Sequence, residues 1–182
     1  NQLVTAYRRE RTFVGLAAAL EVVRQAAAGL HAAHTAVDAR GAPLEVIHRD
    51  VSPHNVMLAR EGVVKIIDFG LARSSLGEKT AAGVVKGKPR YYSPEQARGA
   101  LLDARTDVFS LGLVFHELLT SERVYDDDDA EALAARTVRG DAPVKNPAPA
   151  RIPEPVWALF VRCTRPAAAE RFASMAELAG AV

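Results

Sequence analysis

Asp50, Asn55 and Asp68 are the side chains of this sequence whose types and spacing could do chemistry. Asn55 follows Asp50 by five positions, and Asp68 comes thirteen positions later. Between them lie Val56-Met57-Leu58, a polar stretch over Ala59 to Gly62, and Val63-Val64-Lys65-Ile66-Ile67. Short apolar runs bounded by turn residues read as two strands joined by a tight turn. Such a hairpin returns Asp68 to the side of Asp50 and Asn55, so that two carboxylates and an amide oxygen share one rim. These are hard oxygen ligands. Magnesium held against phosphate takes one or two carboxylates and fills its remaining positions with phosphate oxygens and water.

Several elements must hold that rim. From Phe13 the apolar positions Leu16, Ala17, Leu20, Val23, Ala27 and Leu30 recur at spacings of three and four, which predicts a long amphipathic helix reaching His34. Residues 1–10 read as a short helix before it. Gly29 is expected to mark a close approach to a neighbour, and His31 and His34 read as packed or half-exposed histidines, not metal ligands. Asp38, Gly41 and Pro43 make Val37 to Leu44 a loop, and Val46-Ile47 reads as a short strand entering His48. The stretch from Asp107 to Thr120 is apolar on nearly every side, as in a buried helix, with Asp103 and Thr106 as capping residues and Gly112 as a point of close contact. Asp126 to Asp129 read as the acidic start of a helix over Ala130 to Val138. Five prolines between Pro143 and Pro155 predict a stiff loop. Val156 to Cys163 and a closing stretch around Leu178 complete the helices.

The bulk figures exclude several functions. A chain of 182 residues with 49% hydrophobic and 25% charged residues has the balance of one globular domain. A net charge of +1 gives no field for nucleic acid or an anionic membrane. The single cysteine, Cys163, reads as a core residue and suits a reducing compartment. With no apolar run long enough to span a membrane and no signal peptide, a cytoplasmic location is expected.

The ordered set His48-Arg49-Asp50, Asn55, Asp68-Phe69-Gly70 and Ser93-Pro94-Glu95 resembles the protein kinases, in their bacterial serine/threonine form. The resemblance implies a mainly α fold with a small β-hairpin, the kinase large C-terminal lobe, over residues 1–182. Its catalytic loop would be 48–55, its magnesium loop 68–70 and its activation segment 68–95. It implies Asp50 as the group that orients and accepts the substrate hydroxyl proton, and Asn55 and Asp68 as ligands of Mg2+ (or Mn2+) on ATP. Met57 would lie under the adenine, and His48 and Phe69 would stack inside the lobe. Asp107 would brace the catalytic loop, and Glu95 would pair with Arg171. Thr80, with Ser74 and Ser75 behind it, is the expected phosphosite, and Arg49 its partner. The implied partners are ATP and a protein bearing Ser or Thr.

Two positions depart from the family. Serine/threonine kinases usually carry Lys two residues after the catalytic Asp, where this chain has Ser52. They usually carry Thr after the glycine at Gly87, where this chain has Lys88. The expectation is that the ammonium has moved, Lys88 reaching in from the activation segment while Ser52 makes room. No Gly-x-Gly-x-x-Gly loop and no Val-Ala-x-Lys strand occurs in these residues, and the first is Asn, not Met. The small lobe is therefore expected to be absent, the sequence a piece of something longer, and these 182 residues idle toward ATP by themselves. The alternative is a non-catalytic scaffold or binding module.

Overall fold

The computed structural model describes residues 14–69, 88–126 and 129–182. Residues 1–10, Gly70, Ser74, Ser75 and Thr80 lie outside them. The order is α1 (Leu16–His34), β1 (Val56–Leu58), β2 (Val64–Ile66), a 3-10 turn (Pro89–Tyr91), α2 (Pro94–Ala97), α3 (Arg105–Thr120), α4 (Ala130–Arg139), α5 (Glu154–Cys163), a second 3-10 turn (Ala168–Glu170) and α6 (Met175–Ala181). The described residues are thus mostly helical, with one antiparallel hairpin whose register pairs Val56 with Ile66 and Leu58 with Val64. None of their helices is long and apolar enough to cross a membrane.

The core is built on α3, which is buried from Thr106 through Thr120. Helix α1 lays Ala19, Val22, Val23, Ala26, Ala27 and Leu30 along it and along α6. That is the stripe expected of an amphipathic helix against a core. Helix α5 approaches from the other side. A Cβ on Gly112 would stand 2.6 Å from Cys163 Cβ, so no larger residue lets the two helices meet. The Cys163 thiol is enclosed there, and burial pushes its pKa up to about 12, as befits a core residue.

Several local expectations need correction. A Cβ on Gly29 would meet Ile66 at 3.7 Å, an ordinary contact, so the tightest approach lies at Gly112. Helix α3 begins at Arg105, before Asp107. Its cap residue is Ala104 rather than Thr106, and the Thr106 hydroxyl donates to Glu95 Oε1 at 3.0 Å. Among the described residues Val46-Ile47 has no strand partner, and a bridge between Val37 and Pro43 closes the loop before it. The Asp129 carboxylate caps α4 by accepting from the Glu131 and Ala132 amides.

One core histidine makes stability depend on pH. His116 packs against Trp157 and Phe160, and its Nδ1 donates to the Glu122 carbonyl at 3.0 Å. Burial lowers its pKa from 6.5 to about 4. The unfolded chain therefore binds a proton that the folded chain excludes. The contribution is complete above pH 6.5 and is lost as pH falls through about 4. At pH 5 the loss is about 2 kcal/mol. Urea unfolding should show this extra loss between pH 7.5 and 5 in the wild type and not in His116→Gln. Equal losses in both would remove His116 as the cause.

Candidate active site

The hairpin does not stand alone. Helix α1 reaches it through Gln25, whose Oε1 accepts from the Val64 amide at 2.9 Å and whose Nε2 donates to the Gly62 carbonyl at 3.2 Å. At its other end the Ile67 amide donates to the Asn55 carbonyl at 3.0 Å. The His48 Nε2–H donates to the Ile67 carbonyl at 2.9 Å. His48 Nδ1 then accepts from the Asp50 amide at 3.3 Å, so the tautomer with its proton on Nε2 satisfies both contacts. Asp68 follows directly on Ile67, whose amide and carbonyl are tied to Asn55 and His48. The His48 and Phe69 rings meet at a 53° tilt with centroids 4.7 Å apart, which packs the residue after Asp68 against the core.

Within the rim, Asn55 Nδ2 donates to the Asp50 carbonyl at 2.8 Å and to Asp50 Oδ2 at 3.0 Å. Both bonds use the nitrogen, which leaves Asn55 Oδ1 as a ligand atom. An amide oxygen and the Asp68 carboxylate suit magnesium on phosphate, whose shell phosphate and water oxygens complete. Among the described residues no group of three or more His, Cys, Asp or Glu side chains forms a self-sufficient metal site. Met57 stands half exposed on β1.

Asp107 holds the loop from beneath. Its side chain is fully buried, and it accepts from the His48 amide at 2.8 Å, the Arg49 amide at 2.9 Å and His34 Nε2 at 2.7 Å. The His34 contact was missed in the sequence, where the last turn of an amphipathic helix gives no sign of a partner 73 positions away. Also without a sequence signal, Arg49 and Asp68 adopt left-handed φ values of 66° and 57°. Side chains other than Gly resist that region, and such strain gathers at functional sites.

Lys88 reaches the rim from the far side. Its Nζ donates to Ser52 Oγ at 3.0 Å and stands 3.9 Å from Asp50 Oδ2. Ser52 is buried, and a longer side chain there would compete for the space that Lys88 fills. Burial, and then the charge of Lys88, hold the nearby His54 below the usual histidine range. The segment carrying Lys88 is pinned just downstream. The Tyr91 hydroxyl donates to Glu117 Oε1 at 2.5 Å, and Ser110 Oγ donates to the Tyr91 carbonyl at 2.7 Å. Burial and the Glu117 charge both push the Tyr91 phenol upward, which keeps its proton available to donate. Arg171 then grips Glu95 through two bonds of 2.6 and 2.8 Å, while its other N–H groups donate to the carbonyls of Arg105, Arg165 and Pro166. Burial works to raise the Glu95 carboxyl, but the Arg171 bonds and charge outweigh it and hold the pKa low.

Over residues 1–180 the sequence matches the protein kinase domain family, so the chain belongs to that family. Bacterial kinases are among its relatives. "Tyrosine-protein kinase MasK" of Myxococcus xanthus is 41% identical over 157 residues, 85% of this chain. "Serine/threonine-protein kinase PknB" of Mycobacterium tuberculosis is 41% identical over 126 residues, 68% of this chain. The same-named protein of Mycolicibacterium smegmatis is 46% identical over 99 residues, 53% of this chain. The chain spans about a quarter or less of these relatives, 24%, 19% and 16% of their lengths in that order.

Proposed function

We propose that residues 1–182 form the large lobe of a bacterial kinase catalytic domain that moves the ATP γ-phosphate to Ser or Thr hydroxyls of proteins. Phosphoryl transfer asks a protein mainly to position groups and to neutralise charge. Asp50 orients the acceptor hydroxyl and takes its proton. Asn55 Oδ1 and Asp68 would hold magnesium on the nucleotide, where the metal would offset charge on the phosphates. Met57 packs under the adenine. A phosphate on Thr80 would pair with Arg49 and set the activation segment.

The observation that carries the reading is the Lys88 ammonium, 3.0 Å from Ser52 Oγ and 3.9 Å from Asp50 Oδ2. A cation at that distance lies where a phosphoryl group meeting Asp50's acceptor would pass. Ser52 and Lys88 thus exchange the roles that Lys and Thr fill in the usual family pattern. A pure scaffold has no chemical need for an ammonium beside a base and two metal ligands.

The exchange has a direct test in the full-length protein. Lys88→Thr should lower kcat about 10²-fold, the loss expected when a preorganised charge is removed from a transition state. Adding Ser52→Lys to that variant should restore most of the rate, because it rebuilds the ammonium from the catalytic loop. Full activity in Lys88→Thr, or no recovery in the double variant, would end the relocation idea.

A further inference from the structure

Gln96 lies next to Glu95 in α2, and no role for it follows from the catalytic rim itself. Its Nε2 donates to the Arg49 carbonyl at 2.8 Å. That carbonyl belongs to the peptide unit whose N–H is the Asp50 amide, already bonded to His48 Nδ1 at 3.3 Å. Both ends of the peptide immediately before Asp50 are therefore held by side chains. The preceding peptide is held at the Arg49 amide by Asp107.

This matters because Arg49 sits at φ 66°. A non-glycine residue there is strained, and because Asp107 holds the Arg49 amide, relaxation about the N–Cα bond turns the Arg49 carbonyl and the chain that follows. Rotation would carry the Arg49 carbonyl away from Gln96 and swing the Asp50 backbone, with its carboxylate, out of line with Asn55 and Lys88. We infer that Gln96 is a positioning residue, locking the Arg49–Asp50 peptide plane so that the strained loop presents Asp50 to its acceptor. The Gln96 amide can serve only in the orientation that points its nitrogen at the carbonyl. Its Oε1 is shielded from solvent and has no hydrogen-bond partner among the described residues, so water is poorly placed to take over.

The same short helix links this lock to the end of the lobe. Ser93 Oγ caps it by accepting from the Gln96 amide at 3.2 Å, and Glu95 is clamped by Arg171. Arg171 thus acts on Asp50 through one residue step, from Glu95 to Gln96. The catalytic consequence rests on the kinase reading above; the lock itself does not.

The test uses Gln96→Met in the full-length protein, which keeps length and removes both donors. Hydrogen–deuterium exchange should quicken about tenfold across residues 48–52 while the amides of α3 stay protected. In the same protein kcat should fall about tenfold, with KM for ATP and for a peptide substrate within twofold of wild type. Gln96→Glu, equally long and compatible with solvent, repeats the measurement should the Met variant fold poorly. Unchanged exchange across 48–52 in a folded variant would overturn the lock. Quickened exchange in a protein whose wild type transfers no phosphate would uphold the lock and remove the kinase reading instead. Quickened exchange with unchanged kcat would show that the peptide is held but that Asp50 does not depend on it, and the positioning role would be lost.

Discussion

Asp107→Ala should lower the unfolding free energy by about 3–5 kcal/mol. The reason is an inventory of donors. The buried carboxylate accepts from two backbone amides and from His34, at 2.7 to 2.9 Å. Removing it leaves three groups at the centre of the fold without an acceptor, and each such loss costs about 1–3 kcal/mol before relaxation. Nothing else on α3 can take the place, since its neighbours there are Val108, Phe109 and the already committed Ser110 and Thr106. Asp107→Asn keeps one oxygen and should lose less, while turning an NH2 toward one of the donors. Urea unfolding at pH 7.5 reads both. A loss under about 1 kcal/mol for the alanine variant would mean that the catalytic loop is held by something other than this side chain.

Much of that scaffold was legible in the sequence for a simple reason. The brace, the Glu95–Arg171 pair, the His48–Phe69 contact and the approach of Lys88 to Ser52 were expected from the resemblance of the ordered motifs to the protein kinases, which no single spacing would have given. The long helix and the buried helix follow from periodicity, and the hairpin from its turn. What stayed hidden depends on tertiary contact or on backbone shape. His34 carries no sign that its ring meets a carboxylate. Arg49 and Asp68 carry no sign of positive φ, because the residue that normally signals it is glycine. Gln96 carries no sign of its bond either, because a side-chain bond to a carbonyl 47 positions earlier leaves no pattern. Thr106 was placed as a cap from local sequence, and tertiary structure gave its hydroxyl to Glu95.

The second large effect concerns Asp50 itself. Asn at this position preserves shape and the ability to accept from Asn55 Nδ2, yet it cannot take a proton and no longer offsets the Lys88 charge 3.9 Å away. General-base catalysis is worth about 10²–10⁴ in rate. The loss should fall on kcat, because ATP is held by other groups, and stability should change little at a partly exposed side chain. Retention of the exchange pattern in residues 48–52 would separate a chemical loss from a disturbed loop.

Phosphoryl transfer at Asp50, Asn55, Asp68 and Lys88 is the proposal on which the other expectations rest. Single-turnover transfer from γ-labelled ATP to a Ser/Thr peptide, in the full-length protein with magnesium, measures it directly. The wild type should show measurable transfer, and Asp50→Asn a rate lower by about 10²–10⁴ at equal nucleotide affinity. Wild-type transfer that survives Asp50→Asn undiminished, or a wild type that binds magnesium-ATP and transfers nothing, would contradict it.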